Sequence, residues 1–424
     1  MKILLIHPSM PSQYKYLAQV MGADKNNQVL FITKPGKQDI PGVKKIEYKV
    51  SRSPQPEIHR YLIEFERAIC QGQEVWRVCR KLKEQGFTPD IICAHPGWGD
   101  TLFIKEIYPD VPLLSFMEFY YHAFGADVYF DKNEPVNIDD VASVRIKNST
   151  NLLNLEMCDW GITPTWWQLK QHPKEFHHKI SVLHDGIDTD IVKPSTNKRP
   201  IQLPDGTVIT EKEKIVTYIC RNFEPYRGFP TVMRGIEKLV KERSDCHVLI
   251  VGNDGNGYGR NASKKTFKQQ ILEELTLDAS RVHFINTLPY EQYLRVLQVS
   301  DVHIYFTVPF VLSWSSMEAM SAGCLLVASD TAPVREVMQD GVNALLTDFF
   351  SPEQLAARLH EALDNQEKLQ HLRDAARQTI LDKYSLHKLI PLHLALINDL
   401  ANGKLPPPAA QAIKEFNREV EVVY

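Results

Sequence analysis

Ser313, Ser315, Ser316 and Glu318 crowd together just before a tight Ala322-Gly323 stop, in a stretch (308–341) that holds about one strand–helix repeat. The three serines fall where a helix is predicted to begin. The first N–H groups of a helix have no partner inside it, and they point outward as a site for an anion such as phosphate. Glu318 follows about one turn in. A carboxylate there can lie beside a phosphate without neutralising it, and it suits the paired hydroxyls of a ribose. The combination points to a nucleotide. Ser315-x-x-Glu318 also fits a capping box, in which the glutamate turns back onto the cap backbone.

The block continues through Ser316-Met317-Glu318-Ala319-Met320, Gly323, Val327-Ala328-Ser329-Asp330, Pro333, Glu336 and Gly341. In that order these residues resemble the donor-binding block of family 4 glycosyltransferases. The resemblance implies an α/β chain of GT-B architecture, with two Rossmann-like doubly wound domains facing a central cleft. It also implies transfer of a sugar from a nucleoside-diphosphate sugar with retention at the anomeric carbon. Glu318 takes the ribose. The family's first paired glutamate, which typically touches hydroxyls of the transferred sugar, would fall at Phe310. With Phe310 beside the sugar, orientation is expected from backbone N–H groups at Ser313, Trp314 and Ser315.

The run Tyr218-Ile219-Cys220-Arg221-Asn222-Phe223-Glu224-Pro225-Tyr226-Arg227-Gly228 resembles the family's strand–Arg–loop–Lys–Gly element, whose cations neutralise the donor diphosphate. Arg227 stands where lysine is commoner, and its planar fork suits phosphate oxygens. Solvated surface cations are the plainer alternative for both arginines. Asn286-Thr287-Leu288-Pro289-Tyr290 matches the element whose backbone reads the base edge, which assigns Leu288 to the base. With two arginines and a helix start to carry the leaving charge, no metal and no cofactor beyond the donor substrate are expected. Asp188-Thr189-Asp190 has the letters of a metal motif without the strand-end setting. The glycine-rich stretch 252–259 has the wrong spacing for a dinucleotide fingerprint and reads as a loop.

In the first half, three predicted strands end in histidine: His7, His95 and His184. Their shared position suggests a polar rim. Ser12 and Gln13, in the loop after His7, and His95 and Gly97 are expected on the acceptor side. Glu118 stands where many family members end a strand in histidine; it joins Arg221 and Arg227 as a catalytic candidate, against a structural salt bridge. Asp127 is a second carboxylate candidate. Trp166 and Trp167 read as helix-face aromatics, with sugar stacking as the alternative. His184-Asp185-Gly186-Ile187-Asp188-Thr189 resembles a family turn that closes the first domain.

These residues need a frame, and short apolar runs supply it. They recur at 3–6, 29–33, 91–94, 112–116, 160–163 and 180–183, then at 215–220, 247–251, 282–285, 302–306, 325–328 and 344–347. Helical patterns separate them, which predicts two parallel sheets covered on both faces. The expected domains are 1–195 and 205–384, with a polar, proline-bearing break between. A leucine-rich C-terminal helix, in the segment 385–424, is expected to return to the first domain.

Composition bounds the rest. The chain of 424 residues carries 49 basic and 52 acidic side chains, a net charge of −3, which argues against nucleic acid as partner. No apolar run reaches the roughly eighteen residues of a membrane span, and the short run after Met1-Lys2 reads as a first strand. A helix predicted over 59–85 ends with Arg77, Arg80, Lys81 and Lys83. These complement the helix dipole or, alternatively, support weak docking to an anionic membrane surface. The seven cysteines form no metal spacing and suit a reducing, cytoplasmic setting. The expected partners are a nucleotide sugar and an unidentified acceptor. An epimerase or phosphorylase of the same architecture, and a nucleotide-sugar-binding subunit without catalysis, are the competing functions.

Overall fold

The computed structural model describes residues 1–406 apart from 56, 198–199, 204–205, 256 and 258–262. Parts of the polar break and of the glycine-rich stretch, and the chain beyond 406, therefore lie outside the described residues.

Seven parallel strands build the first sheet: β1 (Lys2–Ile6), β2 (Gln28–Thr33), β3 (Val43–Glu47), β4 (Ile91–Ala94), β5 (Leu113–Phe116), β6 (Trp160–Thr163) and β7 (Ile180–Val182). Their order is β3-β2-β1-β4-β5-β6-β7. Because side chains alternate along a strand, Leu4, Ile6, Ile92 and Ala94 enter one core and Ile3, Leu5, Ile91 and Cys93 the other. The helix Ile63–Glu84 covers the first face through Val75, Cys79 and Leu82. Lys15–Ala23 and the C-terminal helix Leu386–Ala401 cover the second, the latter through Leu396, Ile397 and Leu400. β3 has no counterpart among the apolar runs. It reads Val-Lys-Lys-Ile-Glu at a sheet edge, and packs only Val43 on one core and Ile46 on the other.

A short antiparallel ribbon, β8 (Ile201–Gln202) and β9 (Val208–Ile209), precedes the second sheet. Six parallel strands follow: β10 (Lys214–Asn222), β11 (Cys246–Asn253), β12 (Val282–Ile285), β13 (Val302–Tyr305), β14 (Leu326–Ser329) and β15 (Leu345–Thr347). They run in the order β12-β11-β10-β13-β14-β15. Ile215, Ile219, Leu249, Val251 and Leu326 share one core with Leu297, Met317, Met320 and Ile380 from three helices.

The chain divides into two compact units. Met1–Gly125, Asp131–Asp185 and the helix from His387 make the first; Ala126–Phe130 and Gly186–Leu386 make the second. The second thus begins at Gly186, ahead of the polar break. The Ile187 N–H donates to Tyr384 O at 2.8 Å, the Ser321 hydroxyl donates to Val192 O at 2.6 Å, and Val192 is buried in the second core. In both sheets the chain leaves from a central strand to one side and returns to the other: between β1 and β4, and between β10 and β13. Ligands of open α/β sheets gather at the carboxyl ends of strands at such a switch point.

Candidate functional site

The switch point of the second unit is built by two loops. Exposed Arg221 is the penultimate residue of β10, and a turn then carries Arg227 into Gly228. Gly228 has φ +66 and opens the helix Phe229–Glu242; a Cβ there would lie 2.7 Å from Phe306. Arg227 Nη1 donates to Thr307 Oγ1 at 2.8 Å and to Val311 O at 3.4 Å, so the cation reaches across to the loop after β13. The Val308 N–H donates to Tyr226 O at 3.0 Å and completes the link. That loop leads into the helix Trp314–Ser321, whose N-cap is Ser313. The Ser313 N–H donates to the Tyr305 hydroxyl at 3.0 Å, the Ser313 and Ser315 hydroxyls pair at 2.8 Å, and the Ser316 hydroxyl donates to Ser313 O at 2.7 Å.

Glu318 does not form the capping box. The helix starts one residue before Ser315, and the side chain of its cap, Ser313, accepts no helix N–H. The carboxylate turns instead toward the helix Tyr290–Val299, accepting from Tyr290 at 2.6 Å and Tyr293 at 2.5 Å. Leu288, half-buried after β12, packs against the second core just before this helix. Phe310 is only 4% exposed, with its ring edge-on to Tyr226 at 5.9 Å. The Tyr226 hydroxyl in turn donates to buried Asp127 at 3.0 Å.

In the first unit, β1, β4 and β5 are neighbours, and their ends bring His7, His95 and Glu118 together. His7 Nδ1 accepts from Ser9 N at 2.9 Å and His95 Nδ1 from Gly97 N at 3.1 Å. In each neutral ring the proton therefore sits on Nε2. His95 Nε2 faces Glu118 Oε2 at 3.5 Å, and the Gln13 amide donates to Glu118 Oε1 at 3.1 Å. The Ser12 hydroxyl holds Gln13 at 2.5 Å. Burial, with His95 adding to it, lowers the His7 pKa to about 2, so that ring stays neutral. Gly97 is required by the imidazole beside it: a Cβ would lie 2.9 Å from the His95 ring. Trp98, 44% exposed, packs against both histidine rings at 5.0 and 4.6 Å. Glu118, His95, Gly97 and Trp98 border a cavity of about 310 Å³ that Lys34, Arg67 and Lys147 also line. A carboxylate beside an imidazole N–H and an exposed indole can hold a hydroxylated molecule and accept its proton.

His184 lies apart from this cluster. It is buried, its carbonyl accepts from His393 Nε2 at 2.9 Å, and burial lowers its pKa to about 4. Trp167 stacks on Phe119 at 5.6 Å, a packing role. Asp188 accepts from the Asp190 and Ile191 N–H groups in a turn, and the described residues contain no group of three or more metal-ligating side chains. Arg77 pairs with Glu74, Arg80 with Glu84, and Lys83 donates to Ile107 O. That basic helix end is largely committed within the unit. Among the described residues no helix is long and apolar enough to cross a membrane. Sequence reasoning missed Thr307 as the anchor of Arg227 and the tyrosine pair on Glu318. The only signal for the pair was their i, i+3 spacing on a predicted helix.

Residues 25–192 match the glycosyl transferase family 4 group, and residues 202–379 match the glycosyl transferases group 1. The chain is similar to a D-inositol 3-phosphate glycosyltransferase of Corynebacterium aurimucosum, 23% identical over 296 residues, covering 68% of this chain and 66% of that one. The same enzyme of Corynebacterium glutamicum is 23% identical over 189 residues, 45% and 44% of the two chains. The match thus spans from under half to about two thirds of the length of these relatives. Among solved structures, sucrose-phosphate synthase from Thermosynechococcus elongatus superposes with a TM-score of 0.70 at 15% identity, over 95% of this chain and 100% of that one. Anabaena HepE in complex with UDP-glucose gives 0.65 at 14% identity, over 94% and 100%. Likeness at such identity speaks to the fold alone: two Rossmann-like α/β domains of the GT-B type.

Proposed function

Since the chain belongs with the family 4 type of glycosyltransferases, we propose that it moves a sugar from a nucleoside-diphosphate sugar to a hydroxyl acceptor, with retention and without a metal. Glu318 takes the ribose hydroxyls and Leu288 the base. Arg221, Arg227 and the backbone N–H groups of Trp314 and Ser315 take the diphosphate and the sugar; the Ser313 N–H, expected to join them, is already bonded to the Tyr305 hydroxyl. As the bond between anomeric carbon and diphosphate oxygen breaks, charge grows on the leaving phosphate, and fixed cations favour that state over the ground state. The acceptor oxygen bonds to the anomeric carbon on the face the diphosphate leaves. Its proton passes to a phosphate oxygen or to Glu118, whose carboxylate accepts from the Gln13 amide. Sucrose-phosphate synthase and HepE solved with UDP-glucose share the fold, which supports a nucleotide sugar as the donor class.

One observation carries this reading: Arg227 is anchored to Thr307 at the β10/β13 switch point, in the loop that runs into the helix bearing Glu318. The test is incubation with UDP-, GDP- and ADP-sugars, with and without hydroxylated acceptors and with and without chelator. Release of nucleoside diphosphate, increased by acceptor and indifferent to chelator, is expected. Interconversion of the sugar without release would make the protein an epimerase, and tight binding without turnover a binding subunit. Loss of activity with chelator would remove the role given to the arginines.

A further inference from the structure

Each carboxylate oxygen of Glu318 accepts a phenol: Oε1 from Tyr290 at 2.6 Å and Oε2 from Tyr293 at 2.5 Å. The two tyrosines lie three positions apart on one helix, so they share a face, with ring centroids 5.8 Å apart and planes at 26°. Their surroundings differ. Tyr290 is the first helical residue, follows Pro289 and is 39% exposed. Tyr293 packs against the second core. Burial, with the Glu318 charge adding to it, raises the Tyr293 pKa far above its ordinary value, so its hydroxyl remains a donor.

A phenol donating to a carboxylate makes a charge-assisted bond. The vicinal hydroxyls of a ribose offer the same carboxylate the same kind of bond. We propose that the Tyr290 hydroxyl competes with a donor ribose hydroxyl for one oxygen of Glu318, so that nucleotide binding displaces Tyr290, while Tyr293 holds the other oxygen and keeps the carboxylate aimed. Tyr290 is then a gate on the ribose end of the donor site and Tyr293 a positioning residue. The exposure difference fits this division, since a surface ring at a helix start can swing out and a core-packed ring cannot. The proposal rests on the assignment of Glu318 to the ribose.

The experiment measures dissociation constants for UDP, GDP and ADP and for their 2′,3′-dideoxy counterparts, in the wild type, Tyr290→Phe, Tyr293→Phe and Glu318→Gln. Phenylalanine keeps each ring and removes only the hydroxyl, and thermal unfolding checks that each variant is folded. For the nucleotide that binds, Tyr290→Phe is expected to tighten the ribose form about threefold by removing the competitor, leaving the dideoxy form unchanged. Tyr293→Phe is expected to weaken the ribose form about tenfold, again leaving the dideoxy form unchanged. A Tyr290→Phe protein that binds the ribose form no better, or worse, overturns the gate. Equal losses for both forms in Tyr293→Phe reduce that residue to packing. A wild type that binds ribose and dideoxy forms alike fails differently: it removes Glu318 from the ribose and leaves the tyrosine pair as a structural clasp.

Discussion

Two glutamates carry the proposed chemistry at the level of single residues, and side-chain donors face each of them. Glu118 has the Gln13 amide on one oxygen and the His95 Nε2–H near the other. With its side chain 32% exposed, it contributes little to stability. Glu118→Gln is therefore expected to lower turnover at least about tenfold while the urea midpoint hardly moves. Unchanged turnover with a lowered midpoint would return Glu118 to a structural role. In the proposed reaction Arg227 acts through shape as well as charge, because Nη1 is anchored on Thr307 and Val311 and the guanidinium is a planar fork suited to phosphate oxygens. Arg227→Lys keeps the charge and loses the fork, so turnover of the nucleotide sugar should fall roughly tenfold. Binding of the bare nucleoside should not change; equal losses for both would indicate a disturbed loop rather than a missing phosphate contact.

At the level of elements, the junctions between strands and helices carry the demands. Gly228 turns the chain from β10 into its helix with φ +66 and no room for a Cβ. Gly228→Ala should cost about 1–3 kcal/mol of stability, read as a lowered urea midpoint. A neutral substitution would mean that the loop relaxes freely. Phe310 makes a second demand. Its ring is buried against Tyr226, so Phe310→Glu drives a carboxylate into an apolar contact. The expected outcome is destabilisation of about 3 kcal/mol or more. A stable Phe310→Glu protein with an altered donor preference would instead place this position beside the sugar.

For the whole molecule, buried neutral histidines set the response to acid. Burial lowers the pKa of His7 to about 2, of His303 to about 3, and of His172 and His184 to about 4. In the unfolded chain these rings titrate near 6.5, so as pH falls below that value the unfolded state takes up protons that the folded state refuses. Stability is full above about 6.5 and is lost as pH falls toward the folded values, by up to about 1.4 kcal/mol per unit for each ring. Urea midpoints between pH 7 and pH 5 should fall accordingly. A flat profile would show that these rings gain protons without unfolding.

The frame was legible in the sequence because strands buried on both faces must be continuously apolar. All twelve aliphatic runs correspond to strands of the two sheets. β3 escaped notice because an edge strand needs only Val43 and Ile46 to meet the cores. The helix bearing Glu318 and the cations after β10 were also legible, since serines before a helix and an arginine before a glycine are local patterns. What Glu318 touches was not. Ser315-x-x-Glu318 fits a local cap, yet the carboxylate bonds to tyrosines 28 and 25 residues away, because the helix begins two residues before that cap would start it and the two helices pack on one core. Likewise, three strand ends far apart in sequence carry His7, His95 and Glu118. Only the order β1-β4-β5 makes them neighbours, and sheet order is decided by long-range pairing that no local pattern encodes.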